Sequence, residues 1–334
     1  MFAVSRVITV RMLVTVIPFL LAAQITPNYL PINDDWQYDA EMTFNVLVKQ
    51  SRSDIDPGNF TYCSTISADL KCHVKNDESL LCYFLNPNTS LSTINNNSKC
   101  EWSRDYSIAV NDSPFDQEPF EIRYNPDGID VLVVSETIPR WKLYVTKLVV
   151  SHLQVGFERT EENDMVETIK ISNMDHCDFD LEYTSIKNEY PVKHVLNNSE
   201  LTLISPFLIR NFRHSVDRDV ELIIEKSRNF DNCPRRSIYF FGFPTSHSDT
   251  NRGTLMHMVS STTRMVINNG RFSSETISEG VPKTSKKLNG LSHQKITLNL
   301  RSVNLAENLP PTIFNPTSTS IYINSCLDPS DLFC

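Results

Sequence analysis

Glycine is scarce in this chain, at 8 of 334 residues. None of the eight builds a phosphate-cradling loop or a nucleophile elbow, so P-loop, dinucleotide-binding and α/β-hydrolase chemistry have no foothold. The histidines (His73, His152, His176, His194, His214, His247, His257 and His293) are scattered, and no two have the HExxH spacing that holds a metal on one helix face. Positive charge is in deficit, with 31 Lys and Arg against 40 Asp and Glu and a net charge of -9. A chain so acidic lacks the basic footprint of a general nucleic-acid binder. Beyond the N-terminus no apolar run approaches the about 20 residues that cross a bilayer as a helix. No internal repeat, heptad array or serine-rich tract occurs. Carboxylates are plentiful, but no spacing singles out an acid–base pair. The chain therefore reads as non-enzymatic, without cofactor or metal.

What is present begins with Arg6 and Arg11, followed by an apolar run from Met12 to Ala23 and a polar, proline-bearing stretch from Gln24 to Asp35. A basic start, a short apolar centre and small residues at its end describe a signal peptide over residues 1–23. The expected product is secreted and extracellular, with no transmembrane anchor. Removing Arg6 and Arg11 leaves 29 basic against 40 acidic residues, a net charge of -11. Asn-x-Ser/Thr sequons at Asn59, Asn88, Asn96, Asn111 and Asn197 fit an exported glycoprotein. The eight cysteines (Cys63, Cys72, Cys82, Cys100, Cys177, Cys233, Cys326 and Cys334) all lie beyond the signal region. An even count in an oxidising compartment favours disulfides over thiol chemistry, and that reading outweighs a Cys/His site at His176-Cys177.

Strand-type alternation dominates the rest. Met42, Phe44, Val46 and Val48 share one face of Ala40 to Lys49, and the same period returns in Leu70, Cys72 and Val74, in Phe120, Ile122 and Tyr124, and in Ile296, Leu298 and Leu300. Asn125-Pro126-Asp127-Gly128 and Asn269-Gly270 mark two hairpins. Many short strands with frequent turns mean an all-β sandwich or barrel. One segment breaks the pattern. Pro139 to Val155 is apolar round most of a helical wheel, with Pro139 at the first helical position and Ser135 or Thr137 as a cap. Its length of about 25 Å suits a helix running inside a β-barrel, and its strand-like core, Val145 to Val150, is the alternative. Asn86 to Asn97 and Thr245 to Gly253 read as solvated loops. Residues 24–307 are expected to form the β-barrel domain, and 308–334 an irregular proline-containing tail with two cysteines.

The run PFEIRYNPDGIDVLVV from Pro119, followed by IPRWKLYVTKLVVSHLQVGF, resembles the N-terminal domain of the vitellogenins, large lipid-transfer proteins. The matching positions are Pro119 to Ile122, Trp141, Lys147, Ser151, Leu153 and Gln154. MDHCDFDLEY and EKSRNFDNCPRRSIYFFG resemble the family's two cysteine-bearing segments, and SSTTRMVINNGRF and HQKITLNLRSV its closing strands. The resemblance spans residues 36 to 305. It implies a many-stranded antiparallel β-barrel around a central helix and, by carry-over, a Cys177–Cys233 disulfide. The sequence departs from the family at Tyr144, where an Asn is usual, and in a long insertion before Cys233. Six other cysteines allow fifteen connectivities. Cys72 and Cys82 flank Asn76-Asp77-Glu78 almost symmetrically and suit a cross-hairpin pair, which leaves Cys63 for Cys100 and Cys326 for Cys334.

Two basic clusters interrupt the acidic background, LIRNFRHSVDR with Arg210, Arg213 and Arg218, and VPKTSKK with Lys283, Lys286 and Lys287. Such runs are usually solvated loops, and the functional reading is a docking patch for an acidic partner. In the resembling family this domain contributes to docking on lipoprotein-receptor-type proteins, which assigns that role to Arg210, Arg213, Lys286 and Lys287. The expected function is a secreted lipid-transport-family module, binding lipid or lipoprotein in low amount and docking to a receptor. Low capacity is expected because the family's lipid-walling helical and sheet domains would lie beyond this chain's end. The alternative is a protein-recognition module with no lipid cargo.

Overall fold

The computed structural model describes residues 40–53, 60–76, 79–95, 117–125, 128–154, 177–187, 220–228, 254–268, 271–282, 290–306 and 311–321, with shorter pieces at 13–14, 20–23, 100, 108–109, 115, 157–158, 169–174, 201–203, 230 and 236–239. In chain order the elements are β1 (Leu13–Val14), β2 (Leu20–Ala23), β3 (Ala40–Ser53), β4 (Phe60–Asn76), β5 (Ser79–Asn95), β6 (Ile108–Ala109), β7 (Phe120–Asn125) and β8 (Gly128–Ser135). A helix α1 (Arg140–Val150) and a 3-10 turn (Ser151–Leu153) follow. Then come β9 (Phe157–Glu158), β10 (Ile169–Met174), β11 (Cys177–Lys187), β12 (Leu201–Leu203), β13 (Val220–Arg228), β14 (Arg236–Tyr239), β15 (Thr254–Asn268), β16 (Arg271–Pro282), β17 (Leu291–Leu305) and β18 (Pro316–Ser320).

The chain is mainly β. Fourteen strands form one antiparallel sheet with the path β10-β11-β13-β15-β16-β17-β3-β4-β5-β7-β8-β18, and β14 and β6 add to β15 and β5. Within the apolar N-terminal run, β1 pairs with β9 and β2 with β12. Alternation explains why these segments are strands. Met42, Phe44 and Val46 are 0 % exposed while Asn45 between them is exposed, so one face of β3 is core and the other is wet. Leu70, Cys72, Val74, Ile122, Ile296 and Leu298 repeat the arrangement on neighbouring strands. Phe44 packs edge-on against Phe272 at 6.1 Å, and Phe84 lies 4.3 Å from Phe115 and 5.5 Å from Phe120. Both expected hairpins form, closing at Asn125↔Gly128 and Asn268↔Arg271 with two residues between.

Three expectations are corrected. The stretch from Asn86 to Asn97 is a strand as far as Asn95, paired to β4, and not a solvated insertion. The asparagine-rich composition serves a bulge there: between Leu85↔Asp69 and Asn88↔Ser67, β5 carries one residue more than its partner. Asn86 takes the left-handed φ of 51° that asparagine tolerates, and Pro87 sits where its missing N–H costs no ladder bond. The tail beyond residue 307 is not wholly irregular, because Pro316–Ser320 adds to β8 as a strand and Ile321 is buried in the core. β-branched Thr317 and Thr319 favour that extended edge. Finally, Pro139 precedes the first helical residue instead of occupying it, at φ -60° and ψ 136°. Neither Ser135 nor Thr137 caps the helix, since their hydroxyls bond each other at 2.9 Å. The second expected loop, Thr245 to Gly253, lies outside the described residues.

α1 ends at Val150, where Ser151 Oγ donates to the Leu148 carbonyl at 2.7 Å and the chain tightens to 3-10 before Gln154 turns extended. Val145, Val149, Val150 and Leu153 join the same core as Phe44 and Leu70. Two strands far apart on the path reach this one short segment. Thr319 of β18, at one end of the sheet, accepts from Lys147 Nζ at 3.1 Å, and Lys226 of β13, third from the other end, donates to the Gln154 carbonyl at 2.6 Å. A flat sheet cannot make both contacts, so the sheet curls over the helix. Among the described residues no ladder joins β10 to β18, and the path stays open where a closed barrel was expected.

Candidate functional site

Register places the inner-face residues of adjacent strands in rows, and the rows grade from apolar to polar. One row, Leu300, Phe44, Leu70 and Phe84, is wholly apolar. The next joins Ile224, Met265, Ser274, Leu298, Val46 and Ala68. A third joins Lys226, Thr263, Thr276, Ile296, Val48 and Ile66. The fourth, Ser261, Ser278, Gln294, Gln50 and Ser64, is wholly polar across five strands. β17, β3 and β4 turn from apolar to polar between the third row and the fourth, while β13 and β15 turn one row earlier and β16 already at Ser274. These polar side chains are not solvated: Gln50, Ser64, Ser278 and Gln294 are all buried, as is Ser292 one row further on.

Buried polar groups must find partners, and most here do so across strands. Ser261 and Ser278 hydroxyls lie 2.9 Å apart, Thr263 and Thr276 hydroxyls 2.8 Å apart, and Ser64 Oγ donates to Gln50 Oε1 at 3.4 Å. Ser292 Oγ, Gln294 Nε2 and Gln154 Oε1 have no protein partner. Two cations, Lys226 and Arg228, stand on one face of β13, which β15 and β16 separate from β17. Lys226 is 5 % exposed, and burial pushes its pKa down from 10.5 to about 7. Arg228, two residues on, packs over Phe230 at 5.9 Å and places a guanidinium nitrogen 3.7 Å from Met258 Sδ. His152 Nδ1 lies 2.8 Å from Ser274 Oγ. Burial first, and then the Lys226 charge, push its pKa down to about 3, so His152 is neutral at physiological pH.

A second polar group differs in kind. Buried Glu121 accepts from Lys75 at 2.7 Å and Arg123 at 2.9 Å. Burial raises its pKa, but the hydrogen bonds from Arg123 and Lys75 outweigh that and the net shift is downward. Glu41 likewise holds Lys71 at 2.6 Å, with His73 at 3.1 Å. The lysine and arginine pairs are satisfied and serve the fold, whereas burial lowers the pKa of His73 and its Nε2 makes no hydrogen bond among the described residues. Among the described residues no group of three His, Cys, Asp or Glu could hold a metal ion, and no helix is long and apolar enough to cross a membrane.

Of the residues singled out from sequence, the structure joins Cys72 to Cys82 and Cys63 to Cys100. Cys177 begins β11, but its side chain and Cys233 are outside the described residues, as are Cys326 and Cys334. Asn88 is exposed at the β5 bulge, whereas Asn59, Asn96, Asn111 and Asn197 lie outside the described residues. So do the docking residues Arg210, Arg213, Lys286 and Lys287. Sequence reasoning missed Lys226, Gln294, Ser292 and Gln50. A signal existed for the first: in LIIEKSR, Lys226 and Arg228 hold the inward parity set by Ile224.

The family described as the vitellogenin N-terminal domain matches residues 63–307. The chain belongs to that family. Vitellogenin-A1 of Aedes aegypti is 27 % identical over 143 residues, which is 41 % of this chain and 6 % of that protein. A solved lipovitellin structure, titled for its lipid–protein interactions, superposes with a TM-score of 0.51 over 84 % of this chain and 27 % of the other, at 9 % identity. That likeness concerns the fold. The chain thus covers a small part of either relative.

Proposed function

We propose that this vitellogenin-type domain is a secreted lipid-transport-family module that binds lipid or lipoprotein in low amount and docks to a partner through its basic clusters. The observation that carries the low capacity is the filling of the inner face. Val145, Val149, Val150 and Leu153 close against Phe44, Leu70 and their neighbours, nearly all of them under 6 % exposed. A core at protein packing density leaves little room for acyl chains. Secretion is supported by the signal-type N-terminus, the disulfides and the exposed Asn88 sequon. A barrel that wraps α1 completely is the reading toward which the curled sheet points.

The test is lipid extraction and mass spectrometry of the purified secreted protein, with density-gradient flotation beside it. The expected result is at most about one or two lipid molecules per chain and the buoyant density of an ordinary protein, since exposed apolar patches on a monomer rarely exceed a few hundred Å². Migration as a lipid-rich particle without a partner overturns the capacity argument. A lipid-free protein that binds acidic receptor repeats through Arg210, Arg213, Lys286 or Lys287 gives the result to the recognition reading.

A further inference from the structure

We propose that Thr312 and Thr317 are acceptors for O-linked glycosylation, each taking a hexosamine from a nucleotide-activated sugar. The stretch Pro310-Pro311-Thr312-Ile313-Phe314-Asn315-Pro316-Thr317 sets a proline immediately before each threonine. Proline-bearing Ser/Thr runs have the composition of O-glycosylated segments, and here the structure shows which hydroxyls are open. Residues 311–318 are all exposed except Ile313, which is half-buried, and Phe314 between the two threonines is 72 % exposed. Thr319 is engaged instead: its hydroxyl accepts from Lys147 Nζ at 3.1 Å and donates to the Ser320 carbonyl at 3.5 Å. Ser318 is exposed but follows a threonine. The run therefore offers two proline-preceded acceptors and withholds the third threonine.

A glycosyltransferase must close round the acceptor hydroxyl and its flanking backbone, and a segment already stiff and extended loses least entropy on docking. Proline supplies that stiffness by fixing φ at about -65° and keeping the run from turning helical. Asn315, with a left-handed φ of 42°, bends the chain so that Thr312 lies ahead of the bend and Thr317 beyond it in β18. N-linked modification is barred here, because Asn315-Pro316-Thr317 carries proline between the asparagine and the threonine. Protection of a sheet edge explains Pro316 and the polar residues of β18, which ends the strand path among the described residues. It does not explain Pro310-Pro311-Thr312, which precedes the strand. In the transfer, threonine Oγ1 attacks the anomeric carbon of the sugar. The new C–O bond forms as the bond to the diphosphate breaks, the nucleoside diphosphate leaves with the electron pair, and the hydroxyl proton passes to a base of the transferase.

The inference rests on the secretion proposed above, and the test separates the two. The full-length protein is expressed in cultured animal cells, collected from the medium, reduced, freed of N-linked glycans with an amidase and digested with trypsin. No lysine or arginine follows Arg301, so one peptide, residues 302–334, carries every candidate hydroxyl. Electron-transfer fragmentation, which leaves sugars attached, should place a hexosamine-based glycan on Thr312 and another on Thr317, and none on Thr319. Thr312→Ala and Thr317→Ala should each remove one glycan, and Thr319→Ala should remove none. Bare Thr312 and Thr317 in protein recovered from the medium overturn the inference and leave secretion standing. Sugar on the peptide that survives both Thr312→Ala and Thr317→Ala overturns it as well. Protein retained inside the cells with both threonines bare overturns the inference together with the secretion reading.

Discussion

Replacing Lys226 by methionine should stabilise the protein, and by an amount that depends on pH in a defined direction. The unfolded chain holds the Lys226 proton up to about pH 10.5, and the folded chain releases it at about 7. Between those values the unfolded state binds more protons, so the stability of the wild type rises with pH at 1.36 kcal/mol per unit. Across the whole window that amounts to about 5 kcal/mol. Below pH 7 both states are protonated and the full cost of burying the ammonium is present. Methionine has similar length, fills the same space and carries no charge, at the loss of one hydrogen bond to the Gln154 carbonyl worth about 1 kcal/mol. Subtracting variant from wild type cancels the other groups that titrate. Urea unfolding at pH 6, 8 and 10 should show the variant several kcal/mol more stable at pH 6, with the advantage shrinking steadily toward pH 10. A variant less stable at pH 6, or an advantage equal at all three values, would refute the claim that Lys226 is buried without a counter-charge.

Val149→Asp puts a carboxylate at a fully buried position of α1 and should abolish folding, read as loss of secreted protein, whereas Leu148→Asp, at a partly buried position, should be milder. Opening Cys63–Cys100 with alanines should cost about 4 kcal/mol and opening Cys72–Cys82 about 3, following loop length for separations of 37 and 10 residues; equal losses in denaturant titrations would contradict the loop-entropy account. Asn88→Gln should remove one glycan and shift the mobility of the secreted protein without lowering its melting temperature, because the side chain is exposed at a bulge. An unchanged mobility would show that the sequon, lying within a paired strand, escapes modification.

The strands were legible because each carries an inward column long enough to establish the period of two. Where the inward residue itself becomes polar, the pattern is lost while the strand goes on. Alternation in β3 suggests an end at Lys49, yet the ladder runs to Ser53 with Gln50 buried at 2 % exposure. The same switch hides Ser278, Ser292 and Gln294. Composition misled at Asn86 to Asn95 because asparagine, proline and threonine mark loops on average, and a bulge inside a strand uses the same residues for the same backbone reasons. The tail misled similarly: three prolines and a Thr-Ser run look irregular until an edge strand offers a partner. The helix, by contrast, announced itself through apolar residues all round, although its capping did not follow the expected pattern.

The contacts that assemble the polar cluster explain why no local pattern could find it. Lys147 meets Thr319 across 172 residues, His152 meets Ser274 across 122, and Lys226 meets Gln154 across 72. Each partner alone is unexceptional, a serine on a strand or a lysine in an alternating run. Their chemistry comes from the register that aligns six strands and from the curl that brings β13, β16 and β18 onto the one segment from Lys147 to Gln154. Both are global properties, fixed by the apolar rows that pack first in energy because they bury most surface. The polar rows inherit their alignment from those rows. Moving the register of β17 against β3 by one residue would turn Gln294 and Ser292 outward, but it would also expose Ile296 and Leu298. Selection that preserves the core therefore holds the polar row in place as well.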